Sequence, residues 1–213
     1  MKNKYLVVCF LSITSTGAMA ASNAFEGLYG QLGFGYATAS SSFTGGVRAS
    51  DSTPYTISSE NSKNIAGTVT AGYNFAVTNT FMLGVGAESE YSPFSSSKGS
   101  LTQSPSSILS TTGQFEKKNS YNFFVSPGLV IDRDKLTYAK VGFNKTTARI
   151  DTIDLNYKGY SLGVGYKQLV NKNIYGFGEI NYAKYDTQSD RAGFTGTHSP
   201  DATNFLIGAG YQF

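Results

Sequence analysis

Residues 203–213 read TNFLIGAGYQF, a stretch that alternates in character with period two. In a β-strand Phe205, Ile207, Ala209, Tyr211 and Phe213 share one face. Asn204, Gly208, Gly210 and Gln212 share the other, with Leu206 as its apolar exception. One face suits hydrocarbon and the other is small and polar. Such a strand has the sidedness of a wall between a bilayer and a narrow interior.

Seven further segments upstream repeat the pattern. The first, about 26–38, sets Leu28, Leu32, Phe34 and Tyr36 against Tyr29, Gln31, Gly33 and Gly35. The second, about 63–77, opposes Ile65, Val69, Ala71, Tyr73 and Phe75 to Asn64, Thr68, Thr70, Gly72 and Asn74. In the third, about 80–92, Phe81, Leu83, Val85, Ala87 and Tyr91 oppose Gly84, Gly86, Glu88 and Glu90. Two carboxylates facing lipid would cost kilocalories, so the small-residue face must be the lumen. Tyr121, Phe123, Val125, Leu129 and Ile131 mark the fourth segment. The fifth, about 136–149, turns Ala139, Val141 and Phe143 out and Tyr138, Lys140, Gly142 and Asn144 in. The sixth, about 155–168, opposes Tyr160, Leu162, Val164 and Tyr166 to Gly159, Ser161, Gly163, Gly165 and Lys167. The seventh, about 173–187, places Glu179 and Asn181 inside together with the aromatics Tyr175 and Phe177, which would help plug a narrow barrel.

Segments of this length suffice to cross a bilayer, for which roughly 9 to 11 tilted residues are enough. Tight turns at 77–80, 132–135 and 169–172 alternate with long connections at 39–62, 93–116 and 188–201, while the connection at 150–154 is short. Short turns on one side and longer loops on the other are the habit of membrane barrels. The two longest connections are rich in Ser, Thr, Gly and Asn and too poor in apolar residues to form a core of their own. The expectation is an all-β chain, an eight-stranded antiparallel up-and-down transmembrane β-barrel. A soluble carrier barrel of the lipocalin type would turn its apolar face inward, and here that face points out. Aromatics near the strand ends, among them Tyr73, Phe75, Tyr166, Tyr182, Tyr211 and Phe213, would form interfacial girdles.

At the other end of the chain Lys2 and Lys4 precede an apolar stretch, 5–11, and a small-residue segment reaching Ala20. This reads as a secretory signal peptide over residues 1–20, followed by the barrel over 21–213. The only cysteine, Cys9, falls in the signal. Removing that signal lowers the formal charge from +3 to +1, so the alkaline balance gives no support for nucleic-acid binding. No metal cluster or phosphate-binding glycine loop stands out. The pairs Gly33 and Gly35, Gly84 and Gly86, Gly163 and Gly165, and Gly208 and Gly210 lie on strands without a following helix.

The terminal pattern of Gly208, Tyr211 and Phe213 resembles the signal by which bacterial outer-membrane barrels are recognised for assembly, although that family prefers a polar residue where this chain has Leu206. By pattern, residues 25–213 resemble the small barrels grouped with the OmpA transmembrane domain, OmpX and the Opa-type surface proteins. The resemblance implies a bacterial outer-membrane location, contact with outer-membrane lipids, and engagement of the barrel assembly machinery through the last strand. It also implies an envelope or adhesion role towards an extracellular ligand or a host or phage surface, or else a narrow low-conductance pore. No periplasmic domain is expected after Phe213, so cell-wall anchoring is not implied.

The lumen charges Glu88, Glu90, Lys140, Lys167 and Glu179 form the most suggestive polar set. Counted along the strands, Lys140 and Lys167 fall near the periplasmic end, Glu179 near the middle, and Glu88 and Glu90 towards the outside. They read as an internal ion-pair network that stabilises a filled barrel, or as a gated ion path. His198, Ser199 and Asp201 invite a hydrolase reading. Residues this close in sequence rarely converge as a nucleophile, a base and an orienting acid, so no catalysis and no cofactor are expected. The aromatics Tyr55, Phe94, Phe115 and Phe194 sit in otherwise polar external segments, as a binding surface or as rim packing.

Overall fold

Period-two alternation gives a strand two unlike faces, and short turns let consecutive strands pair antiparallel. The computed structural model describes residues 23–48, 54–59, 62–91, 97–103, 114–150, 153–186, 188–191 and 194–213. The expected signal peptide lies outside them, as do the side chains of Tyr55, Phe94, Phe115, Phe194, His198 and Ser199. Within the described residues the strands are β1 (Gly27–Arg48), β2 (Pro54–Ser59), β3 (Ser62–Ala76), β4 (Phe81–Tyr91), β5 (Ser97–Gln103) and β6 (Gln114–Asp132). They continue with β7 (Lys135–Ile150), β8 (Ile153–Leu169), β9 (Ile174–Tyr185), β10 (Gln188–Arg191) and β11 (Phe194–Gln212).

Eight of these strands, β1, β3, β4, β6, β7, β8, β9 and β11, each pair with the next, and β11 closes on β1. The closing register runs without a break from Tyr29↔Gln212 to Thr44↔Thr197. The result is a closed antiparallel barrel of up-and-down topology. The outer face carries Leu32, Val164 and Ile207 at 65, 60 and 69% exposure, with the other outward residues named above likewise on the surface. In water that surface would be unfavourable; in hydrocarbon it needs no cover. Tyr175 and Phe177 are buried inside, on the parity that Glu179 and Asn181 require.

The long connections depart from the expected irregular loops. β1, β6 and β11 run on past the eight-stranded zone, and β2, β5 and β10 add to the same sheet. β2 pairs with β1 at Gly46↔Tyr55 and with β5 from Tyr55↔Gln103 to Ser59↔Gly99, while β5 meets β6 at Ser97↔Phe115. Backbone pairing needs no apolar side chains, so a polar segment beside a protruding strand edge can extend the ladder without a core.

A second departure lies at the short-turn end. Gly27 has a φ of 115°, a left-handed conformation that glycine adopts without strain, and it lets residues 23–26 fold beneath the barrel mouth. Phe25 is thereby completely buried, and the Asn74 side-chain amide donates to its carbonyl at 2.9 Å.

Close packing inside sets the demand for glycine on the inward face. A Cβ on Gly208 would meet the Leu32 carbonyl oxygen and the Phe177 ring, whereas a Cβ on outward-facing Gly178 would meet nothing within 4 Å. Gly208→Ala is therefore expected to destabilise the barrel by about 1–3 kcal/mol, and Gly178→Ala to change stability little. Heat-modifiable gel migration combined with urea unfolding in detergent measures both; equal loss in the two variants would contradict this packing.

Candidate functional site

The lumen is filled in stacked layers. At the short-turn mouth Phe25, Met82 and Leu136 form a buried apolar cluster, flanked by Ala76, Val130 and Leu169. These side chains come from the tucked segment, β4 and β7, which converge because the turns there are tight.

Above this lid lies Lys167 of β8, whose ammonium meets tyrosine rings in place of a carboxylate. It stands 3.9 Å from the centroid of Tyr29, 4.8 Å from that of Tyr175 and 5.3 Å from that of Tyr138. Aromatic faces carry negative partial charge and stabilise a desolvated cation. Tyr175 also donates from its hydroxyl to Gln31 Oε1 at 3.1 Å, and Phe177 and Leu206 pack against the same rings.

The next layer is ionic. Lys140 Nζ of β7 donates to Glu88 Oε2 at 2.9 Å and to Glu179 Oε1 at 2.8 Å. Glu88 also accepts from the Thr70 hydroxyl at 3.0 Å, and Glu179 from the Tyr138 hydroxyl at 2.6 Å and from the Asn181 amide. Lys140 Nζ further lies 4.6 Å from the Phe124 ring centroid. Beyond this layer Glu90 accepts from the Asn204 amide at 2.9 Å. Cavities of about 10 and 20 Å³ flank the ionic layer, each with room for about one water molecule.

The depths counted along the sequence are thus corrected. Lys140, Glu88 and Glu179 meet at one level, because strand tilt and stagger in a closed barrel bring positions at different distances from their strand ends to the same height. Glu90 lies beyond that level, and Lys167 below it among the rings. Gly208 faces inward under Phe177, while Tyr211 and Phe213 point outward with ring centroids 4.9 Å apart. Sequence reasoning had no role for Phe124 or Phe25. In the run Phe123-Phe124-Val125 the alternation is hidden, though the inward parity of Asn122 and Ser126 would have placed Phe124 inside. Nothing in the local pattern marks Phe25 as a lid. Among the described residues no three or more His, Cys, Asp or Glu side chains are grouped to hold a metal ion.

Residues 6–213 match the family model described as an outer membrane protein beta-barrel domain. The chain belongs to this family of outer-membrane β-barrels. No curated protein matches it. Among solved structures the barrel is similar to the outer membrane protein AlkL in lipid bilayers, with 14% identity over 94% of this chain and 97% of that one and a TM-score of 0.50. It is also similar to Neisserial surface protein A, with 15% identity over 88% of this chain and 98% of that one and a TM-score of 0.49. For the attachment invasion locus protein Ail of Yersinia pestis the figures are 16% identity, 88% and 99% coverage, and a TM-score of 0.48. At these identities the likeness is one of fold alone. The barrel resides in the bacterial outer membrane, with its apolar face against lipid.

The shared ammonium makes a sharp energetic prediction. Lys140→Ala would leave Glu88 and Glu179 buried without their counter-charge, a loss of about 3–5 kcal/mol. Adding Glu88→Gln and Glu179→Gln to that variant should restore most of it, as read from urea unfolding of barrel refolded in detergent; an unchanged single variant would contradict the pairing.

Proposed function

We propose that this barrel is a non-conducting, non-catalytic scaffold that presents its extracellular strands and loops to an extracellular ligand or to a host or phage surface. The filling of the lumen carries this reading. The apolar lid, the tyrosine and lysine layer and the ionic layer succeed one another along the interior, and among the described residues the two cavities flanking the ionic layer are water-sized. Eight strands give an interior that side chains can fill, so the geometry needs no further plug.

In this reading Glu88, Glu90, Lys140, Lys167 and Glu179 are structural, and what is free to vary is the wall above the bilayer. Binding segments commonly sit on loops held by a rigid frame, and here β2, β5 and β10 tie the long connections to such a frame. Insertion itself is assigned to the barrel assembly machinery acting on β11, with Gly208, Tyr211 and Phe213 as the recognised residues. The contrary reading, a low-conductance channel, draws on the five charged side chains that succeed one another along the lumen.

Single-channel recording in planar bilayers separates the two. Barrel shown to be folded by heat-modifiable migration is expected to give no discrete steps; reproducible steps abolished by Glu179→Ala would replace the scaffold with a gated pore. Removing residues 104–113, which lie beyond β5, is expected to leave migration unchanged and to lower attachment of expressing cells to host-cell monolayers several-fold. Unchanged attachment would take the binding role away from that connection.

A further inference from the structure

We propose that the outer wall over β7, β8 and β9 holds one molecule of a phosphorylated, multiply acylated glycolipid of the outer leaflet, of the lipid A type. A phosphate would sit between Lys145, Lys158 and Lys184, and an acyl chain in the depression at Gly178. On these three strands the outward apolar series ends alike towards the long connections. Lys145 follows the outward Phe143, Lys158 precedes the outward Tyr160, and Lys184 follows the outward Tyr182. All three lysines are exposed. Lys145 and Lys158 stand directly opposite each other in the β7–β8 register, and Lys184 stands opposite Tyr160 in the β8–β9 register. Opposite neighbours on one face have their Cβ atoms about 5 Å apart and diagonal ones about 7–8 Å, so the long side chains bordering Tyr160 can converge on one phosphate.

Like charges directly opposite one another destabilise a sheet, and none of the three lysines is relieved by an ion pair within the described residues. Two carboxylates adjoin the cluster. Asp186 lies beside Lys158, to whose carbonyl its backbone amide donates at 2.7 Å, and Asp201 is in register with Lys184, yet neither makes an ion pair with the cluster. Both are on its β9 and β11 side; on the β6 side Lys145 has Tyr121 opposite it. Farther out on β7 the register is of the contrary kind, with Arg149 set between Glu116 and Asp154. One row thus matches its cation with acids, and the row of Lys145 and Lys158 leaves its charge to be met from outside. Because these lysines project sideways at the rim of the apolar band, the anion that meets them is a lipid head group.

A second feature lies beneath the same lysines. The apolar face has an open depression of about 830 Å³ at Gly178, bordered by Val164, Tyr166, Ile180, Phe205 and Ile207 among others. A Cβ on Gly178 would meet nothing within 4 Å, while Ile207 and Tyr166 flank it across β11 and β8. At about 3.3 Å per residue and a tilt near 40°, the six residues from Lys184 to Gly178 descend about 15 Å, half of a bilayer core of about 30 Å. An acyl chain of the outer leaflet ends at that depth. Lysines and depression therefore fit the two ends of one molecule, and phosphate joined to several acyl chains is the chemistry of lipid A.

The site requires the long connections to be extracellular and is independent of the scaffold and pore readings. Native mass spectrometry of the refolded chain with diphosphoryl lipid A in detergent is expected to show one lipid retained. Retention should persist in EDTA, because lysines and not bridging divalent cations hold the phosphate. Lys145→Gln, Lys158→Gln and Lys184→Gln combined should lower the affinity at least tenfold, with heat-modifiable migration unchanged because all three side chains are exposed. Lys172→Gln, in a short turn at the opposite end, should bind as the parent does. Gly178→Leu, whose side chain would occupy the depression, should lower the affinity several-fold. Equal retention by the triple variant, loss of lipid on adding EDTA, or capture of a soluble heparin fragment in preference to lipid A would overturn the assignment. Unchanged affinity in Gly178→Leu would overturn its acyl half.

Discussion

Closure of β11 on β1 is the constraint on which everything else rests. Within hydrocarbon no water is available to an unpaired backbone group, and each such group costs kilocalories. A sheet of eight strands left open would present two edges to the lipid. The unbroken register of β1 with β11 removes both, so the outer face is free to be wholly apolar and the inner face is free to be polar. The small inward residues follow from the same closure. Eight strands draw the walls so near that the inward Cβ positions of Gly208 and Gly33 fall against neighbouring side chains.

Inside so narrow a wall, charge cannot be left in isolation. Lys140 is stable there because two carboxylates, and the face of Phe124, surround it. Lys167 solves the same problem differently, exchanging carboxylates for three tyrosine rings. The two solutions are linked through Tyr138, whose hydroxyl donates to Glu179 while its ring faces Lys167. Removing any one member therefore disturbs both layers, which is the behaviour of a cooperative polar network rather than of separate pairs.

The wall was largely legible from sequence, because a strand half in lipid has one strong rule, alternation, and the outward positions of the eight strands obey it despite inward apolar exceptions such as Phe124 and Leu206. Its inward set named the residues of the ionic layer without saying which would touch. Relative height around a barrel depends on stagger between strands, and stagger is set by pairings far apart in sequence, so Lys140 could be placed inside but not beside Glu88. The extensions β2, β5 and β10 were missed because β5 and β10 lack apolar alternation and in β2 it is confined to Tyr55 and Ile57; their pairing is a backbone property. Phe25 was missed for another reason: its burial depends on the turn at Gly27, and one glycine before a strand is weak evidence of a fold-back.

The division of labour follows from where the structure is over-determined. Through the bilayer zone almost every inward position is fixed by a packing or charge partner, so substitution there is paid for in stability. Above that zone β2, β5 and β10 extend the ladder by backbone pairing. Under the proposed scaffold role, it is on these extensions that selection for binding would act. The most constrained residues of the described barrel are thus the ones that fill its lumen.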